Sequence, residues 1–274
     1  MKPRSGQKTH WTVVPWRTKR AWIRAMSSYK RTRQIENKDR VTRSRRGLFI
    51  LAGMGAIWAG LIALLLFYGD TKVATAVNPS DASLHSNALT MCCYLISNSL
   101  TFVILLFVVL TIISMFYKKW EPHRKMFIGM MFSLVLTSYI TVIVKHAVGR
   151  QRPYEQMPGK IDTLGTTPPT DPSMPSGHSS SSAALATSFA LRAKGLTLPA
   201  LLFIWSLLVA FSRMYLGYHY LSDVLVGSIL GTVIAFISAY LFDRLYDSGR
   251  MTIKSEWTLI TVLTAAWLIN WYLM

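Results

Sequence analysis

The chain is 274 residues long, 51% hydrophobic and only 15% charged, and its 30 Lys and Arg against 12 Asp and Glu give a formal charge of +18. Several apolar runs reach or approach the roughly 20 residues that cross a bilayer core, which excludes a string of soluble domains. Residues 1–47 hold 15 Lys and Arg against Glu36 and Asp39, a net +13 in that segment, yet no nucleic-acid-binding motif accompanies the charge.

In chain order, that basic segment comes first. Trp11, Trp16, Trp22 and Ile23 are spaced among its cations. The stretch from Trp16 to Arg33 reads either as a basic amphipathic helix on the inner leaflet or as an unstructured arm. In both cases anionic inner-leaflet lipid is the expected partner rather than nucleic acid, at about 1 kcal/mol per cation near the surface. The first apolar run starts near Leu48, too far in and too long for a cleavable leader, so none is expected.

Apolar runs then follow at about Leu48–Tyr68, Leu89–Tyr117, Met126–Val144, Ser179–Leu191, Leu196–Phe211 and Val224–Phe242. The fourth is short and rich in Ser and Ala, a composition that lets helices approach closely. The sixth carries Gly227 and Gly231, spaced as a packing face. A last run, Trp257–Leu273, either spans or lies at the interface. The fold class expected is all-α, a polytopic membrane bundle of six core transmembrane helices with this seventh apolar segment. Its parts are a basic cytoplasmic segment (1–47), a six-helix transmembrane domain (48–242), and a cytoplasmic loop with the C-terminal apolar segment (243–274). Cys92 and Cys93 are adjacent within an apolar run, where a relaxed disulfide is disfavoured, and read as packing residues.

The positive-inside bias sets the orientation. With the N-terminus cytoplasmic, the inner loops hold Lys118, Lys119, Arg124, Lys125, Arg192, Lys194, Arg244, Arg250 and Lys254. The outer side then receives three short blocks: Lys145-x6-Arg152-Pro153, Pro175-Ser176-Gly177-His178, and Ser212-Arg213-x5-His219-x3-Asp223. The outer loop of about 145–178 is rich in Pro, Gly and Thr. It begins and ends on block residues, so it is expected to cover and touch the substrate.

The blocks supply three fixed cations, two histidines and a carboxylate. Arg152, held extended by the following Pro153, can turn a bidentate phosphate fork over the bundle mouth, and Lys145 adds a point charge. Ser176 and Gly177 open a helix whose N-terminal N–H groups suit an anion. His178 at that edge can give a proton to a leaving oxygen. His219 and Asp223, four apart, are expected to share a helix face. The carboxylate would then fix the ring tautomer and leave the other nitrogen free to attack. Arg213 adds the third cation. Each cation alone would read as a snorkelling boundary residue, and Ser176 with Gly177 as a plain cap. His10, His85, His123 and His146 have no visible catalytic partner. No His, Cys or carboxylate group has metal-ligand spacing, so neither a metal nor another cofactor is expected.

These three blocks resemble the signature of the type 2 phosphatidic acid phosphatase superfamily, with every signature position filled between Lys145 and Asp223. The resemblance implies a six-helix core and a metal-independent phosphatase. In it, His219 would be the nucleophile, passing through a phosphohistidine, and Asp223 would orient it. His178 would protonate the leaving group and then activate water. Lys145, Arg152, Ser176, Gly177 and Arg213 would hold phosphoryl oxygens. The expected protein is a lipid phosphatase of a bacterial inner membrane acting on the periplasmic side. Its substrate would be a phosphorylated membrane lipid of the undecaprenyl diphosphate, phosphatidylglycerophosphate, phosphatidic acid or lipid A type. The alternatives weighed are lipid-to-lipid phosphotransfer at the same site, a vanadate-dependent haloperoxidase, and a non-catalytic transporter or scaffold.

Overall fold

The computed structural model describes residues 52–80, 85–165, 168–193, 195–248 and 251–273, together with Phe49. The chain divides into two compact units, Met1–Arg45 and Arg46–Met274, and every described residue belongs to the second. The expectations for residues 1–47, a cytoplasmic start and either a basic amphipathic helix or an unstructured arm, lie outside the described residues.

Every regular element among the described residues is helical. Helix α1 (Ala52–Tyr68) meets α2 (Asp70–Val77) at a bend of 101°. Gly69 sits at that bend with φ +72°, a backbone state only glycine adopts without strain. Next come α3 (Asn87–Phe116), a 3-10 turn at Lys118–Trp120, and α4 (Glu121–Val148). A single helical turn, α5 (Pro153–Gln156), interrupts the outer loop. Helices α6 (Gly177–Arg192), α7 (Thr197–Tyr215), α8 (Leu221–Asp247) and α9 (Ile253–Leu273) complete the order. Each apolar run carries a helix over its described residues, and several extend beyond the run by up to about a turn and a half.

Four helical segments are long and apolar enough to cross a membrane, with mean hydropathies of 2.7 for Asn87–Phe116, 2.1 for Lys118–Gln156, 1.6 for Thr197–Tyr215 and 2.2 for Leu221–Asp247. The bent pair α1 and α2 makes a fifth if it is one span. The chain is a multi-pass membrane protein with a helical bundle fold. Helix α6 is not among these segments: it has 16 residues, and those from Ser179 to Ala190 are all buried against protein. It is the central post of the bundle, packed chiefly on α8 and also on α4 and α7.

Small residues permit this. At Gly231 a Cβ would lie 2.0 Å from the Ser180 carbonyl oxygen, and at Gly227 it would lie 2.7 Å from that of Ser176. The G-x-x-x-G spacing is thus an internal seat for α6. Hydroxyls tie α6 to its other two neighbours, Thr141 of α4 to Ser180 at 2.9 Å and Ser182 to Ser206 of α7 at 3.0 Å. A larger apolar cluster fills the space among α3, α4, α6 and α9, around Ile104, Met130, Leu134, Leu185 and Trp267.

Helix α9 runs lengthwise beside α4 and in the same direction. Glu256 pairs with Arg124 at 3.3 Å near its start, and the Ala266 carbonyl accepts from the Tyr139 hydroxyl at 3.1 Å. It therefore does not lie across the end of the bundle. Arg124, Lys125 and Arg192 share the end opposite the sequence blocks, where Lys125 meets Asp247 at 2.6 Å and Arg192 meets Asp243 at 3.2 Å.

Substituting Gly231→Ala is expected to destabilise the protein by about 2 kcal/mol, because backbone rather than a flexible side chain must move aside. Gly60→Ala, where a Cβ meets nothing within 4 Å, is the matched control. Thermal unfolding in detergent reads the difference, and equal midpoints for the two variants would contradict the seat.

Candidate active site

The bundle brings the three blocks to one end. Lys145 occupies the last turn of α4 and is 3% exposed. Arg152 (1% exposed) lies in extended backbone, φ −78° and ψ 158°, just before Pro153, as the sequence predicts. Arg213 lies in the last turn of α7, and Gly177 is the first residue of α6. A cavity of about 230 Å³ opens among them. Its lining includes Lys145, Arg152, Asp171, Gly177, His178, Arg213 and His219, together with the apolar Leu100 and Ile104 of α3 and Trp267 of α9.

Ser176 does not line that cavity. Its hydroxyl caps α6, accepting from the Ser179 backbone N–H at 3.4 Å, and its own backbone N–H donates to the Asp223 carbonyl at 3.0 Å. Gly177 does face open space: a Cβ there would meet nothing within 4 Å.

The relation of His219 to Asp223 differs from the expected shared helix face. Helix α8 begins at Leu221, so His219 sits in the preceding turn. That turn is enforced by Gly217 (φ +80°), where a Cβ would strike the Asp162 carbonyl oxygen at 2.2 Å. Asp223 is the third residue of α8 and accepts the Tyr220 backbone N–H at 2.9 Å, as half of a capping box. Its Oδ2 is 3.6 Å from His219 Nδ1, beyond hydrogen-bond reach. The Ser173 hydroxyl stands between the two groups. It donates to Asp223 Oδ2 and lies 3.5 Å from His219 Nδ1. The other ring nitrogen, Nε2, lies 3.4 Å from Arg152 Nη1.

Arg150, a residue the sequence reading did not place in the site, holds the other oxygen of Asp223. Its Nη1 donates to Asp223 Oδ1 at 2.7 Å, and its Nη2 donates to Asp70 Oδ2 at 2.7 Å. Its guanidinium stacks 4.0 Å over the Tyr220 ring. Asp70 opens α2 and also accepts the Ser222 backbone N–H at 3.0 Å. The bend at Gly69 thereby ties α1 and α2 to the start of α8.

Asp171 comes from the outer loop and bridges two cations. Arg152 Nη2 donates to its Oδ1 at 2.7 Å, and Lys145 Nζ donates to its Oδ2. Burial pushes its carboxyl up, but Lys145 and Arg152 outweigh burial and hold it below the ordinary carboxylate value. Arg213 is held differently. Its Nη1 donates to Ser97 Oγ at 2.7 Å, its guanidinium stacks 4.5 Å from the Tyr218 ring, and its buried Nε has no hydrogen-bond partner. A buried donor of this kind is costly until an acceptor reaches it. The His219 imidazole is driven well below its ordinary value near 6.5, first by burial and then by Arg152, Arg213 and Lys145, so it is neutral. Among the described residues no group of three or more His, Cys, Asp or Glu could hold a metal ion.

The arrangement offers donors for an anion, a neutral imidazole whose Nε2 faces the Arg152 guanidinium, and a second imidazole lining the same cavity. Of the predicted set, Lys145, Arg152, Gly177, His178, Arg213 and His219 converge on the cavity, Asp223 stands behind His219, and Ser176 caps. The sequence reading missed Ser173, Arg150 and Asp70. Their only local signals are closeness to the blocks for the first two and a post-glycine position for the third.

Two outcomes follow from these electrostatics. Arg150→Met is expected to lower stability by about 3 kcal/mol, because buried Asp223 loses its counter-ion, and Arg150→Met with Asp70→Asn is expected to recover part of that. Urea titration checks both, and an undiminished single variant would contradict the bridge. Since the unfolded chain binds a proton at His219 near pH 6.5 and the folded one does so only well below, stability should fall as pH drops below 6.5. The fall should be shallower in His219→Gln, and identical slopes would contradict a neutral buried imidazole.

Comparisons with known proteins agree with this geometry. Residues 126–247 match the family described as the PAP2 superfamily, a stretch that contains every cavity-lining cation and histidine. The chain is 40% identical over 99 residues to the decaprenylphosphoryl-5-phosphoribose phosphatase of Mycobacterium tuberculosis, covering 36% of this chain and 51% of that protein. It is 32% identical over 123 residues to the undecaprenyl-diphosphatase of Sulfolobus acidocaldarius, covering 43% and 56%. The match thus spans about half the length of these relatives. The crystal structure of a transmembrane PAP2 type phosphatidylglycerolphosphate phosphatase from Bacillus subtilis superposes with a TM-score of 0.53 at 20% identity, over 70% of this chain and 96% of that one, and shares the fold. The match to the PAP2 superfamily covers a little under half of the chain, and that stretch supplies every cation and histidine of the cavity, while Leu100, Thr101, Ile104 and Trp267 of its lining lie outside it.

Proposed function

We propose that the protein is a lipid phosphatase that hydrolyses a phosphate monoester or diphosphate on a membrane lipid through a phosphohistidine at His219. One observation carries this reading. One cavity is lined both by Lys145, Arg152, Arg213 and two histidines and by the apolar Leu100, Ile104 and Trp267. The charged lining suits a phosphate and the apolar lining suits the start of a lipid chain. The PAP2 relatives are named for phosphates and diphosphates carried on polyprenyl groups, which favours a lipid-anchored substrate.

In this proposal Lys145, Arg152 and Arg213 hold the nonbridging oxygens, with Arg213 Nε gaining the acceptor it lacks. His219 Nε2 attacks phosphorus, forming a P–N bond as the P–O bond to the lipid breaks. His178 gives its proton to the departing oxygen. A water then enters, loses a proton to His178 and attacks phosphorus. The P–N bond breaks and inorganic phosphate leaves. Ser173 and Asp223 hold the His219 ring by its Nδ1 side. The three fixed cations perform the charge neutralisation that a metal supplies elsewhere, so the proposed reaction needs no metal.

The proposed setting is a bacterial inner membrane with the cavity on the periplasmic side. In support, Arg124, Lys125 and Arg192 gather at the opposite end of the bundle, where a cytoplasmic excess of cations is expected.

Purified protein given a single polyprenyl diphosphate or phosphatidic acid should release free phosphate at an unchanged rate in chelator. His219→Ala should cost at least ~10³-fold in kcat. Arg152→Lys and Arg213→Lys should each cost ~10²-fold, because the bidentate fork is gone. Full activity in His219→Ala would overturn the nucleophile, chelator sensitivity would overturn metal independence, and transfer to a second lipid without phosphate release would favour a phosphotransferase.

A further inference from the structure

We propose that the Asp171 carboxylate is a built-in competitor for the phosphoryl seat, lying across Lys145 and Arg152 until a phosphate displaces it and returning as the phosphate product leaves. The inference rests on the phosphatase reading above. Its basis is that the two cations best placed for a substrate phosphate already share one internal anion.

Asp171 bonds the two cations through separate oxygens, Oδ1 to Arg152 and Oδ2 to Lys145. A carboxylate spanning a guanidinium and an ammonium in this way occupies positions that two phosphoryl oxygens would take. The cations do not depend on it for their positions. Arg152 Nε donates to the Asp171 carbonyl at 2.8 Å, and its Nη1 donates to the Tyr218 carbonyl at 2.9 Å. Lys145 Nζ donates to the Pro172 carbonyl at 2.7 Å. Backbone therefore holds both cations aimed at the cavity with or without the Asp171 side chain. The carboxylate is also the most exposed member of the trio, 21% against 4% for Lys145 and 2% for Arg152, so it can swing out while they stay. Among the described residues Arg213 receives no carboxylate and keeps an unpartnered Nε. An arriving phosphate can meet Arg213 first and then exchange for Asp171 on the other two.

The exchange weakens binding of every phosphate to the site, product included. Binding a substrate and its product equally tightly does not speed the chemical step, and tight product slows turnover. A competing carboxylate lowers both affinities and shortens the time that inorganic phosphate is retained. A purely structural Asp171 has the opposite signature, since its loss would loosen the cations and weaken binding.

The test is direct binding of inorganic phosphate and of vanadate to full-length protein in detergent, by calorimetry, for wild type, Asp171→Asn and Asp171→Ser. The amide keeps the shape and one acceptor but removes the charge. The proposal expects both ligands to bind the variants about tenfold more tightly, the scale of one exchanged charge-assisted hydrogen bond. Unchanged or weaker binding, with wild-type hydrolysis intact, overturns the competitor and leaves the phosphatase reading standing. Absence of both binding and hydrolysis in the wild type overturns the two together. Should the variants fail to fold, a structure of the wild type with vanadate decides. Asp171 should be displaced from Lys145, and an undisturbed Asp171–Lys145 pair beside bound vanadate would overturn the proposal.

Discussion

The site depends on the cost of burying three cations at one end of an apolar bundle. Lys145, Arg152 and Arg213 are all under a tenth exposed, and such charges are tolerated only with partners. The chain meets that cost unevenly. Lys145 and Arg152 share Asp171 and several backbone carbonyls, whereas Arg213 has a serine hydroxyl and an aromatic face. The pocket consequently retains a positive surplus and an unmet donor, the state that a phosphate completes. Burial first, and the same surplus after it, hold the imidazole of His219 neutral, so the setting suits both the proposed anion capture and the proposed nucleophile.

The scaffold serves this arrangement by bringing helix ends together. The α6 post can stand against α8 because Gly227 and Gly231 admit its backbone. That contact sets the start of α6, with Gly177 and His178, beside the start of α8, with Asp223. A backbone hydrogen bond from Ser176 to the Asp223 carbonyl joins the second and third sequence blocks directly. The bend at Gly69 adds Asp70, which reaches Arg150 and Ser222 and fixes the carboxylate behind His219.

Much of this was readable in the chain. Each of the seven apolar runs carries a helix over its described residues, and for the bilayer-length ones few other structures are admitted. The three blocks were visible because their chemistry needs fixed residue types at short spacing. What was not readable came from distant pairs. Asp70 and Arg150 lie 80 positions apart, and Asp70 and Ser222 lie 152 apart, so no local pattern announces them. The i, i+4 spacing of His219 and Asp223 suggested a helical face. Gly217 and the cap at Tyr220 instead place the histidine in a turn, with Ser173 interposed. Asp171 could be read only as a loop acid; its role in the charge balance appears once Lys145 and Arg152 close on it.

The most direct measurement is covalent trapping. Wild-type protein mixed with a labelled lipid phosphate and quenched in alkali during turnover should carry acid-labile phosphate on the peptide containing His219. Label on any other residue, or no label from a substrate that the wild type hydrolyses, would contradict the account.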